Sequence, residues 1–566
     1  MSGITGRLTL DPPDITFGAA FPAGPTADLG IVGVNNRGTV RVLADSGITN
    51  AAELRAQLLS RGHTLVGSTD AELIAHVYEE WGPRGVARLH GPFACAVWDA
   101  EMRRLVLARD HIGLRRIYYA LLPDGGLAFA SDIQALLQEH GVSREWSPEG
   151  IDAYLALGYV PAPLTAYRRI SKLEPAQLLQ VDGRRFHLEQ YWDIPTGTPA
   201  SVDLDERLAT LEARLGAALR RPIDGAGALI YSGSTASTVL LAASAPGRLV
   251  PVTVDVEEDA SELTRSDAVA SRLGHQRQLE LAAPEATMLA AEFAGHAQEP
   301  IADPSAVVQL AVLRAVARHA DSAFAAHGAA VMWAGHPQHP VERDHGKLED
   351  VQAARNVYSM WDDRRRRGIY TRDFAWQVRD ADPFGRHLAL HAAHPSDDPL
   401  ERALFVDLRT ALADRVLASA DRAAIAVGLS LRFPFLDRDL VVLAATTPPA
   451  LKRRGTTGLH ALRRLLLRQL PRTLMPPARP LAARHDWLRT ALPGMVPAML
   501  LTSRFDERGV VSRVVLRQIW DDHCTGRRDH AWQLWSLLML EFWFRQCVDG
   551  AAAGEPLEYA VLKAVA

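Results

Sequence analysis

At 566 residues, 48% hydrophobic and 23% charged, the chain is too long for one hydrophobic core and has the composition of a two-domain globular protein. A net charge of −4 gives no electrostatic case for nucleic acid. No apolar segment approaches the roughly 20 residues that span a bilayer, and no basic, apolar leader opens the chain.

Cys95, Cys524 and Cys547 are widely spaced and form no Cys-x-x-Cys pair, which argues against a disulfide framework and a zinc site. The expectation is a cytoplasmic protein with no metal site of its own and no membrane partner. Residues 1–195 read as one domain in which strands dominate. Amphipathic helices are expected over Ala51–Arg61 and Ala71–Trp81, and strands at Leu105–Ala108, Ile117–Ala120 and Leu127–Ala130. Cys95 sits in the apolar run Phe93–Trp98 and reads as a buried thiol. Tyr191–Pro199, rich in Pro, Gly and Thr, reads as a linker.

Residues 205–550 form the second expected domain. Ala228–Tyr231 reads as a buried strand, Ser232-Gly233-Ser234 as a small-residue turn, and the helix that follows carries Ser237 and Thr238. Small residues let backbone N–H groups approach a phosphate, and a helix N-terminus adds a positive dipole end. The loop carries no acidic residue for Mg²⁺. Further strands are expected at Val250–Val254 and Ala329–Trp333, with helices between, the pattern of a parallel sheet. Arg364–Arg367 after Asp362-Asp363 reads as a solvated surface turn, and the chain beyond about residue 400 as mostly helical.

Several phrases, in order along the whole chain, resemble the class B asparagine synthetase family. They are His90–Ala94, Leu107–Arg115, Phe129–Ile133, Glu299–Ser305, Asp421-Arg422, Arg432–Asp437 and Leu534–Trp543. The resemblance implies an α+β N-terminal αββα domain of the Ntn-hydrolase (glutaminase) type. It also implies an α/β synthetase domain of the adenine-nucleotide pyrophosphatase (PP-loop) type with a helical tail. Active relatives use ATP and Mg²⁺ to activate a carboxylate for attack by an amine. They include β-lactam synthetases and lasso-peptide macrolactam cyclases, which need no glutaminase.

Against that pattern the chain departs at several positions. The glutaminase nucleophile position falls at Ser2, and the glutamine-binding phrase reads Asp45–Asn50, leaving Asp70 as the remnant of the pocket. The phosphate loop has Ala236 where the family has Asp, with Ser232, Gly233, Ser234, Ser237 and Thr238 left to hold a nucleotide. The second acidic phrase reads Ala334-Gly335-His336-Pro337-Gln338-His339-Pro340; Gly335 is its candidate nucleotide contact, and both histidines read as ordinary loop residues. Ser430 replaces a family Glu, and the late family lysine falls at Arg479; Arg479 and Lys452 are the candidate catalytic cations, with Arg463 near by in sequence.

Three functions stay open. One is an amide ligase forming AMP and pyrophosphate on a small-molecule or peptide substrate with its own carboxylate and amine. Another is a silent homologue that binds an active paralogue or a precursor peptide. The third is a glutamine-hydrolysing asparagine synthetase.

Overall fold

The computed structural model describes residues 3–10, 13–19, 31–197, 203–223, 225–255, 260–281, 286–336, 358–477 and 486–550. The chain divides into two units, Met1–Gly150 with Pro161–Asp193, and Ile151–Val160 with Ile194–Ala566.

In chain order the first unit forms β1 (Ile4–Leu10), β2 (Pro13–Ala19), β3 (Ile31–Val34), β4 (Val40–Ser46), α1 (Ala51–Ser60) and α2 (Asp70–Trp81). Then follow β5 (Phe93–Asp99), β6 (Arg104–Arg109), β7 (Tyr118–Leu121), β8 (Leu127–Ala130), α3 (Ile133–Leu136), β9 (Ser171–Lys172), β10 (Gln177–Asp182) and β11 (Arg185–Gln190). They make two antiparallel sheets, ordered β2-β1-β8-β7-β9 and β11-β10-β6-β5-β4-β3.

β5 shows why the apolar run Phe93–Trp98 lacks the usual alternation. Phe93, Cys95 and Val97 pack with α1 and α2, whereas Ala94, Ala96 and Trp98 pack against the other sheet through Ile4, Leu127 and Phe129. A strand covered on both faces has no polar side. The Cys95 thiol is fully buried, which pushes it up to about 12, so it is inert at neutral pH. With α3 on β7 and β8, the αββα layering is complete.

The second unit begins with the part of α4 (Pro148–Leu157) from Ile151 onward, then α5 (Leu204–Leu219), β12 (Gly227–Ile230), α6 (Thr235–Ala243) and β13 (Val250–Asp255). It continues with α7 (Ala260–Arg272), β14 (Gln278–Leu281), α8 (Ala286–Ala297), α9 (Ser305–Val316), β15 (Ser322–Phe324), α10 (Ala329–Met332) and β16 (Ser430–Arg432). The strands form one parallel sheet, β14-β13-β12-β15-β16. Helices dominate beyond it, and the buried Ala531–Trp543 helix packs against α8 and Asp486–Met499.

Two expectations fail here. Ala329–Trp333 is not a strand: β15 ends at Phe324, Gly328 turns the chain at φ +88°, and α10 follows. A short apolar run reads alike as buried strand or buried helix, and here the strand had already been made by Ser322–Phe324. Arg364–Arg367 is not a turn either, although Arg364, Arg365 and Arg367 are exposed as expected. It lies in a helix, Asp363–Ile369, whose period carries Arg366 inward to 0% exposure beside Asp152.

Candidate functional site: a serine-rich loop at the sheet switch point

From β12 the chain steps outward to β13 and β14, then returns to the other side of β12 as β15 and β16. The switch therefore lies between β12 and β15, and the crevice at the carboxyl ends of such strands is where open α/β sheets bind ligands. The Ser232 loop leaves β12 at that point. Gly233 adopts φ +73°, and a Cβ there would lie 2.3 Å from Ser266 Oγ, so any other residue is strained at this position. Ser234 caps α6, accepting the Ser237 amide at 3.3 Å.

The Oγ atoms of Ser232, Ser234 and Ser237 form a triangle with edges of 3.1, 3.2 and 3.1 Å. Hydroxyls both donate and accept, so this triangle can turn its hydrogens toward an anion at the α6 N-terminus. Thr238 is fully buried and contributes packing rather than a contact for ligand.

Two charged groups border the loop. Arg463 Nη1 lies 3.4 Å from Thr235 Oγ1 and donates to the Pro476 carbonyl at 2.8 Å. Burial lowers its pKa from the usual value, yet a guanidinium remains charged in proteins. Glu262, on α7, has Oε1 3.7 Å from the place a Gly233 Cβ would take, and it pairs with Arg265 at 3.2 Å. Sequence reasoning found no acidic group for this loop; the packing of α7 supplies one. The serine hydroxyls, the helix end and Arg463 make a surface chemically suited to an anion, and Glu262, paired with Arg265, is a carboxylate that the fold brings close to it. Ala236 offers no ligand.

The remaining predicted residues are placed elsewhere. Gly335 donates its amide to the Ala330 carbonyl at 2.7 Å, and a Cβ would come within 2.9 Å of Ala330 and Leu459. Packing accounts for that glycine, and its amide is already used. His336 is half-buried. Ser430 opens β16 beside Ser322. Lys452 is buried and lines a small cavity with His394, Glu401, Leu404, Phe405 and Met332; no residue of the Ser232 loop lines it. Burial pulls Lys452 down to about 8, against the pull of Glu401 and Asp398. Ser2, His339 and Arg479 lie outside the described residues.

In the first unit the residues at the expected glutamine-pocket positions have internal partners. Asp70 Oδ2 accepts the Ile48 amide at 2.8 Å, and Asp45 accepts from Arg115 Nε at 3.2 Å. Asn50 is held by the Arg88 carbonyl and the His90 amide, each at 2.9 Å. The phrase Leu107–Arg115 is structural. Buried Arg109 donates to the carbonyls of Gly113, Arg115 and Leu173, while Asp110 accepts the amides of Ile112, Gly113, Leu114 and Arg115.

Comparison with known proteins agrees with this layout. Residues 33–192 match the model of a glutamine amidotransferase domain, and residues 233–545 match that of asparagine synthase. Relatives from Mycobacterium bovis and Mycobacterium tuberculosis, named as glutamine-hydrolyzing asparagine synthetases, are 27% identical over 88% of this chain and 83% of theirs. Asparagine synthetase 1 of Bacillus subtilis, also named glutamine-hydrolyzing, is 23% identical over 91% of this chain and 88% of its own. An N-terminal glutamine amidotransferase domain of the Ntn type thus precedes a synthetase domain, and the chain belongs to the asparagine synthase family.

Proposed function

We propose that the second unit is an ATP-dependent amide-forming ligase whose substrate brings both carboxylate and amine, and that the first unit does not feed it ammonia from glutamine. One observation carries this reading. The Ser232 loop has a left-handed Gly233 and a Ser234 cap, a conformation that would suit a phosphate, while Asp45 and Asp70 are engaged with Arg115 and Ile48. ATP, when bound, supplies the activation of the carboxylate. Ser232, Ser234, Ser237 and Arg463 would hold its phosphates and Glu262 its magnesium. The macrolactam-cyclase and β-lactam-synthetase type of reaction meets these terms, since the amine is part of the substrate.

The test is pyrophosphate and AMP release from MgATP with peptides and small molecules bearing a carboxylate and a free amine, with and without glutamine. Release without glutamine supports the proposal. Release that requires aspartate and glutamine, with glutamate formed, supports the glutamine-hydrolysing asparagine synthetase that the relatives' names carry.

Ala236 favours a second reading, a pseudoenzyme that binds an active paralogue or a precursor peptide, because the loop lacks its own carboxylate. Absence of MgATP binding together with stable capture of such a partner would select it.

A further inference from the structure

The first unit brings together His63, His76 and Glu79, the group among the described residues whose ligating atoms converge as a metal site requires. His63 sits in the turn after α1, its amide bonded to the Leu58 carbonyl at 3.1 Å. His76, Glu79 and Glu80 follow on α2 at helical spacings that share one face. His63 Nδ1 and His76 Nδ1 are 3.0 Å apart, and Glu79 Oε2 stands 3.8 Å from the first and 3.6 Å from the second.

These separations set a length. The circle through three atoms so spaced has a radius of about 2.0 Å, the length of Zn–N and Zn–O bonds. An ion in the plane of the three atoms would therefore make three bonds of ordinary length with the side chains where they are, and a fourth ligand would draw it out of that plane with a small lengthening of each bond. The outer partner of His63 agrees, while His76 Nε2 is buried without a hydrogen-bond partner. His63 Nε2 meets Glu80 Oε2 at 2.9 Å, and Glu80 Oε1 accepts from Arg61 at 2.8 Å. A carboxylate on the far ring nitrogen places the proton there and leaves Nδ1 its lone pair, the arrangement that accompanies histidine ligands to zinc. Glu79 is 24% exposed, so water can reach the carboxylate side of the cluster to serve as a fourth ligand.

We infer that His63, His76 and Glu79 bind one divalent zinc ion, with Glu80 orienting His63. Two imidazoles and a carboxylate are a donor set that suits this borderline cation, and an open fourth position is geometrically allowed. The ion would fasten the turn after α1 to α2, whose first residue is Asp70. This goes beyond the reading of the second unit and does not depend on it. The expectation of no metal site rests on the spacing of the cysteines, which says nothing about His63 and His76.

The experiment uses untagged full-length protein, stripped with chelator and titrated with Zn²⁺ alone, with thermal unfolding followed in parallel. Uptake of one equivalent with a raised melting temperature is expected. His63→Gln and Glu79→Gln, both at partly exposed side chains, should each weaken uptake roughly tenfold or more, and Glu80→Gln roughly tenfold through its hold on His63. No stoichiometric uptake would leave a plain hydrogen bond between the two imidazoles and overturn the inference, as would uptake unchanged in both ligand variants. If a variant does not fold, Co²⁺ bound to the parent protein decides. The intense visible bands of a four-coordinate nitrogen–oxygen site support the inference, and the weak spectrum of a hexa-aqua-like ion overturns it.

Discussion

Arg366 and Asp152 meet at 3.0 Å with side chains 0% and 1% exposed, and Tyr370 donates to the same carboxylate oxygen at 2.6 Å. Burial holds the Asp152 carboxyl above its usual range, and Arg366 pulls it part of the way back. Arg366→Met leaves that carboxylate buried without its cation and should cost about 3–5 kcal/mol at neutral pH. Without Arg366 the carboxyl rises further, so on acidification it protonates sooner in the variant and the gap to the parent narrows. Urea unfolding at neutral and mildly acidic pH checks this; a gap independent of pH would mean lost packing instead.

Gly233 and Ser266 are coupled by space. Gly233→Ala forces a side chain onto φ +73° and 2.3 Å from Ser266 Oγ. The backbone term alone is about 1–2 kcal/mol, and the loop should lose MgATP affinity. Ser266→Ala removes the close oxygen and leaves Ser266 Cβ at 3.6 Å, an ordinary contact. The double variant should therefore recover the steric part and keep the backbone part, a non-additivity readable in a double-mutant cycle of thermal stability.

Lys452 makes stability depend on alkaline pH. Its folded value is about 8 and its ordinary value 10.5. Between them the unfolded chain holds a proton that the folded chain has shed, so stability rises with pH across that window. A shift of this size corresponds to about 3 kcal/mol. Lys452→Met should flatten the rise in chemical denaturation curves, and an unchanged slope in the variant would assign it to other groups.

Ala236→Asp returns a carboxylate to the second residue of α6. A negative charge in the first turn of a helix is favourable by about 0.3–1 kcal/mol, so the variant should fold. Calorimetric titration should show tighter MgATP binding than in the parent. Equal affinity would mean that magnesium is already held by Glu262, in which case Glu262→Gln in the parent should weaken it.

What the sequence made legible is what local order decides. β6 and β8 fall where short apolar runs place them, α1 and α2 follow their amphipathic period, and the Ser232 loop declares itself by small residues between a strand and a helix. What it hid depends on residues meeting across the fold. Glu262 reaches the loop only because α7 packs on Gly233. Arg463 was visible as a nearby cation, but its place beside Thr235 is set by the packing of two helices. Arg366 looked solvated by composition, while the helical period and a distant carboxylate drew it inside. His63 and His76 lie in a turn and a helix, and only the α1–α2 packing puts their ring nitrogens together. One signal was available for the last pair: His76, Glu79 and Glu80 share a helix face.

Ile151–Val160 belong to the second unit although first-unit sequence stands on both sides of them. They anchor there through Asp152 to Arg366, Tyr154 to the Ser536 carbonyl at 2.7 Å and Tyr159 to His387 at 2.9 Å. No single cut in the gene can therefore discard the amidotransferase-like domain and spare the synthetase. A lineage that stopped using glutamine would keep the obsolete module as an obligatory passenger. Drift would be free to erase its catalytic positions while the threading of the chain protected its bulk from deletion.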